Sequence, residues 1–158
     1  MAEEKNDIEE NSTEIKINVE ACPTINTEIC GNITETDENK ANLQLKITSE
    51  LISDSEGLAH NGFIYSAGAY VAQVAINKKN TCVIGSRTSF FAPAKIGDII
   101  SFEATAKFDN SKKREVLVKA YIREVCVFEG IFYVLVTDEH ILKMQKSELA
   151  KYQSKKQE

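Results

Sequence analysis

Histidine is scarce in this chain, and the two present, His60 and His140, stand far apart. The four cysteines, Cys22, Cys30, Cys82 and Cys126, form no CxxC pair. Metal-ligating side chains are too thinly spread for a metal site, and none is expected. Positive charge is outnumbered as well, with 19 Lys and Arg against 24 Asp and Glu. The formal net charge is -5, and Lys112, Lys113 and Arg114 make the one basic cluster in the part that reads as globular. A surface that tracks phosphates needs clustered Lys and Arg, so nucleic acid is not an expected partner. Long hydrophobic runs are missing as well: the most apolar stretch, Phe63 to Ile76, falls short of the roughly 20 residues that cross a bilayer. No membrane insertion is expected. Met1 to Glu20 contains no apolar core of the kind a secretory signal needs, which points to a cytoplasmic protein. In that compartment Cys22 and Cys30 stay reduced, and the sequons at Asn11 and Asn32 carry no meaning.

The chain has 158 residues, 42% of them hydrophobic, enough for one domain with an ordinary core. Residues 1–40 are read as an acidic, flexible segment, since Glu3, Glu4, Asp7, Glu9, Glu10, Glu14 and Glu20 face only Lys5 and Lys16 over its first half. Residues 41–143 are read as the folded domain. Residues 144–158 are expected to form a short helix, on the pattern Ile141, Leu142, Gln145, Leu149 and Tyr152, and a Lys-rich tail that frays.

Asn42 to Ile47 alternates Leu43, Leu45 and Ile47 with Gln44 and Lys46, the period of a half-buried strand. A His-Asn-Gly turn then opens a stretch so apolar that an amphipathic surface helix is excluded, and a buried helix is expected. Four strands follow. They are read at Thr81 to Phe91, at Ile100 to Phe108, at Glu115 to Val125 and at Phe128 to Val136, with Cys82 and Cys126 as inert buried thiols. One strand, a buried helix and four strands on short loops predict an α+β fold, an antiparallel sheet wrapped around a central helix.

Two motifs carry a resemblance over residues 41–143. AHNGFIYSAGAYVA, Ala59 to Ala72, is similar to the turn-plus-helix of the hotdog superfamily of acyl-CoA thioesterases and acyl-CoA binders. RTSFFAPAKIGDIISFEATA, Arg87 to Ala106, is similar to its strand-Pro-x-x-x-Gly-Asp-strand element. The pattern most resembles the effector domain of malonyl-CoA-sensing repressors of fatty-acid genes, although about 40 acidic residues stand where those repressors carry a helix-turn-helix. It also resembles small bacterial hotdog proteins, some expressed with flagellar genes. The resemblance implies a hotdog fold, a role near fatty-acid metabolism, a coenzyme A thioester as ligand with no required cofactor, and a homodimer or higher homo-oligomer.

The resemblance further implies that enzymes of this kind place an Asp or Glu nine residues after the His of the turn, as nucleophile or general base. That position here is Ala69, and neither Gly68 nor Tyr70 substitutes for it. The other half of such a site is kept, because Asn61, Gly62 and Phe63 open a helix whose N–H groups can polarise a thioester carbonyl. His60 either lines the thioester end of the pocket or merely caps the turn. Glu56 is the nearest acid before the turn and, with His60, a candidate for catalysis; Asp54 is a weaker one. Tyr65 and Tyr70 read as core or dimer-seam residues. Arg87 meets either a CoA phosphate or a salt-bridge partner, while Lys112, Lys113 and Arg114 are either solvated or a cradle for the CoA tail. A non-catalytic acyl-CoA binder is favoured. A thioesterase using Glu56 or His60, and an interaction protein with an empty pocket, remain as alternatives.

Overall fold

The computed structural model describes residues 17–108 and 110–153. The acidic stretch 1–16, Asp109 and the tail 154–158 lie outside the described residues. A single long helix, α2 (Asn61–Ile76), runs behind a six-stranded antiparallel sheet. Its strands are β1 (Asn32–Asp37), β2 (Lys40–Lys46), β3 (Thr81–Phe90), β4 (Ile99–Ala106), β5 (Lys113–Ile122) and β6 (Val125–Val136), in the spatial order β1-β2-β4-β5-β6-β3. This is the hotdog arrangement implied by the motifs.

Helix α2 starts where the side chain of His60 accepts a hydrogen bond from the Gly62 N–H, and it stops at Asn77, whose left-handed φ of 52° suits Asn better than most residues. Between those caps Ile64, Ala67, Val71, Ala72, Val74 and Ala75 are all buried, so the helix is apolar around most of its circumference and is stabilised by packing. The sheet supplies that packing by strict alternation. Leu43, Phe102, Ala120, Phe128 and Phe90 form one row across five strands, and the small Ala120 makes room for the rings on either side. Truncating Phe128, which is fully buried, to Ala is expected to cost about 3–5 kcal/mol, measurable as a shift in the urea midpoint.

The sheet extends further toward the N-terminus than expected. Asn32–Asp37 pairs with β2 as an edge strand, and Ile17 to Gly31 passes over the C-terminal half of α2, so the expected boundary at residue 40 does not coincide with the edge of the fold. Asn77 anchors this strap. Its Oδ1 accepts from the N–H groups of Glu20 and Ala21 at 2.7 and 3.3 Å, and its Nδ2 donates to the carbonyl of Asn18 at 2.8 Å. A short helix, α1 (Thr27–Cys30), ends the strap, and Ala21 is completely buried. Strand β5 ends three residues earlier than expected, because Arg123 adopts a φ of 54° in a tight turn before β6. Strand β4 likewise stops at Ala106, leaving Phe108 81% exposed. The expected terminal helix is divided into a turn at Ile141–Lys143, capped by His140, and α3 (Lys146–Gln153).

All four cysteines are free thiols, and three of them gather where the strap meets α2 and β3. Burial pushes the Cys22 thiol up to about 11, with Cys30 and Cys82 nearby adding to the shift, and burial raises Cys30, Cys82 and Tyr70 as well. The folded state therefore favours the neutral thiol. That stability is fully present below the ordinary value of 9.0 and is lost as pH rises through about 11, so the melting temperature is expected to fall between pH 9 and 11. A variant with Ser at Cys22 should show a shallower fall.

Candidate functional site

The N-terminus of α2 opens into a cleft of about 420 Å³ lined by Ser53, Leu58, Ala59, His60, Asn61, Phe90, Phe91, Ala92 and Pro93. Three pieces of chain converge to make it. The loop before the helix is set by Asp54, whose Oδ1 accepts from the N–H groups of Glu56 and Leu58 at 3.0 and 3.2 Å. That leaves Leu58 and Ala59 to pair with Lys95 and Ile52. The Pro-x-x-x-Gly-Asp element closes the opposite wall: Asp98 Oδ2 accepts from the Lys95 N–H at 2.9 Å, and Gly97, at φ 91°, donates to the Ile47 carbonyl. Only glycine takes that φ without strain.

His60 caps the helix and also lies in the cleft wall. Its Nδ1 accepts the Gly62 N–H at 3.0 Å as the helix cap, and the residue lines the cleft, with its ring edge-on to Phe63 at 6.1 Å. A neutral imidazole accepting at Nδ1 carries its proton on Nε2. The Phe63 N–H donates to the His60 carbonyl at 3.1 Å, so of the first three helix N–H groups only that of Asn61 makes no hydrogen bond among the described residues. The expected cradle of free N–H groups is thus narrower than the helix start alone suggests. Ala69 lies half-buried further along α2, on the side that also carries Ser66 and Gln73.

Glu56 sits exposed in the preceding turn and is not among the residues lining the cleft. Tyr65 is a packing residue with a satisfied hydroxyl, paired with Ser86 Oγ at 2.7 Å, and Tyr70 is buried under the strap. The basic residues lie elsewhere. Phe128 pairs with Phe90 beside the cleft whereas Leu135 pairs with Lys113 at the hairpin, so about 23 Å of strand separates the two regions within one chain. There Lys112 reaches Asp138 at 3.9 Å, Arg114 Nε donates to the Ser111 carbonyl at 3.1 Å, and Lys113 lies 5.2 Å from the centre of the Tyr133 ring. Arg87 pairs in register with Ile131 on the face of the sheet turned away from Phe132 and α2, where it shares a cavity of about 330 Å³ with Lys113, Tyr133 and Tyr152. In the sequence Phe90 and Phe91 read only as strand residues; the fold makes them cleft walls, 38% and 59% exposed, shortly before Pro93.

An antiparallel sheet around one helix, with a cleft at the helix start, defines the class: this is a hotdog protein. Cj0977, described as a sigma28-regulated virulence protein from Campylobacter jejuni, superposes with a TM-score of 0.77 at 46% identity, covering 78% of this chain and 95% of that one. The chain belongs to the hotdog superfamily, in the same family as Cj0977. A hypothetical thioesterase from Streptococcus pneumoniae TIGR4, crystallised with coenzyme A, shares the fold at a TM-score of 0.62 and 13% identity, over 69% of this chain and 87% of that one. Methylthioribose-1-phosphate isomerase from Aquifex aeolicus is 34% identical over 125 residues, which is 79% of this chain but only 27% of the isomerase. The chain therefore matches a part of that larger protein. No family model matches the sequence. Among the described residues no helix is long and apolar enough to cross a membrane, and no group of three or more His, Cys, Asp or Glu side chains could hold a metal ion.

Proposed function

We propose that this chain is a non-catalytic acyl-CoA binding protein with a regulatory role, and that it works as a homodimer. One observation carries the reading: the cleft at the α2 N-terminus is lined without a single carboxylate, and position 69 is alanine. The Asn61 N–H and the positive end of α2 can polarise a thioester carbonyl, but no acid lines the cleft to activate water. The coenzyme A held by the S. pneumoniae fold relative supports the choice of ligand class. The regulatory role, and expression together with flagellar genes, extend the resemblance carried by the motifs; that Cj0977 is described as sigma28-regulated is in keeping with controlled expression. Incubating the protein with acetyl-CoA and following free thiol release should give no turnover above background. The second reading, a thioesterase with His60 as base, is favoured by the place of His60 in the cleft wall. In the tautomer set by the Gly62 N–H, however, Nε2 is a donor and not a base.

The two sheet edges differ in a way that supports the dimer. Strand β1 is short, bulged between Ile33 and Glu35, and acidic, which are features that discourage pairing. Strand β3 is ten residues long, half-buried along most of its length, and has no second neighbour among the described residues. Light scattering at micromolar concentration should report a dimer formed through β3, and a monomer would overturn that part of the proposal.

A further inference from the structure

Resting on the acyl-CoA reading, we infer that the site takes short acyl groups of a few carbons, and that an aromatic plug of Phe90, Phe128 and Phe132 sets the limit. An acyl chain entering the cleft toward the core meets Phe90 at its wall, and the Phe90 ring lies 5.1 Å from that of Phe128. Behind it Phe128 and Phe132 stand 6.4 Å apart, both fully buried, and Tyr65 closes on Phe132 at 5.5 Å.

The gap between helix and sheet is too tight there for even one added carbon. A Cβ placed on Gly68 of α2 would lie 3.0 Å from Phe128 Cε1 and 3.2 Å from Phe132 Cζ. Facing it, a Cβ on Gly130 of β6 would lie 2.9 Å from both Phe132 Cε2 and Thr88 Cγ2. The hydrogen bond between the Tyr65 and Ser86 hydroxyls ties α2 to β3 beside this plug and closes the lateral route. Close-packed rings in a folded interior do not part to admit a methylene chain without a cost in strain. The cleft itself, at about 420 Å³, lies toward the small end of the roughly 300–1,000 Å³ typical of ligand sites.

Calorimetric titration of the full chain with acetyl-, butyryl- and octanoyl-CoA tests this. Burying a methylene strengthens binding by about fourfold, so a tunnel taking four more carbons would favour octanoyl- over butyryl-CoA by more than about a hundredfold. The plug predicts affinities for the two that agree within about threefold, because the extra carbons stay in water. Phe132→Leu should then raise the octanoyl-to-butyryl preference about tenfold or more, with circular dichroism confirming the fold. The wild-type series decides the matter even if that variant does not fold. Octanoyl-CoA binding wild type tens of times more tightly than butyryl-CoA would overturn the plug while leaving the acyl-CoA reading standing. Binding of none of the three esters would overturn that reading and the plug with it.

Discussion

Valine in place of Gly62 is expected to lower the affinity for acetyl-CoA on the order of tenfold or more, because its bulk at the helix start displaces the thioester carbonyl from the Asn61 N–H. At this exposed position the obstacle to a side chain is His60. Its Cβ would lie 2.9 Å from His60 Nδ1 and 3.1 Å from Cε1, so the imidazole must leave its place as helix cap and swing into the cleft mouth. Losing the cap costs about 1 kcal/mol, which the buried remainder of α2 can absorb, and circular dichroism should stay unchanged. His60→Ala separates the two effects, since it removes the cap without adding bulk; it should lower the melting temperature by a few degrees and weaken binding less than Gly62→Val does. Equal affinities for wild type and Gly62→Val would move the ligand away from the helix start.

Ala69→Asp is expected to raise thioester hydrolysis above the wild-type background by about 10²-fold or more, within the range general-base catalysis supplies. Position 69 is half-buried, so a carboxylate there keeps access to solvent and can be ionised; eight residues, about 12 Å of helix, separate it from the Asn61 N–H of its own chain, so in the proposed homodimer it serves an ester held at the helix start of the second subunit. The expected penalty is a lower melting temperature from placing charge beside apolar neighbours. Conversely, strong hydrolysis by wild type that disappears in Glu56→Ala would make the exposed loop acid the catalyst and the chain an enzyme.

Much of this arrangement is legible in the residues themselves, and the limits have physical causes. The strands β2, β4, β5 and β6 declare themselves because one face of each is buried and the period of two is clean, as at Ile100, Phe102 and Ala104. Helix α2 declares itself by being apolar nearly all round. Strand β1 does not, because an edge strand reading Asn-Ile-Thr-Glu-Thr-Asp has one apolar residue and draws its stability from pairing with β2. The strap is silent for the same reason: Ala21 is buried only because Asn77, remote in sequence, captures the backbone beside it. At the site, the His-Asn-Gly turn is legible as a helix start. The distance from that turn to Lys112, Lys113 and Arg114 is set by strand register, which composition does not encode, and so a cluster that reads as a cradle for CoA lies at the far end of the same subunit.

The most direct test of a binding site without catalysis at the α2 N-terminus is a titration of the isotope-labelled protein with acetyl-CoA, followed by backbone amide resonances over several hours. Saturable shifts are expected, concentrated at Asn61 to Ile64 and at Phe90 to Ala92, with the acetyl signal of the ester unchanged throughout. Shifts confined to the Lys112 to Arg114 hairpin and Tyr152, or steady conversion of the ester to free coenzyme A and acetate, would contradict it.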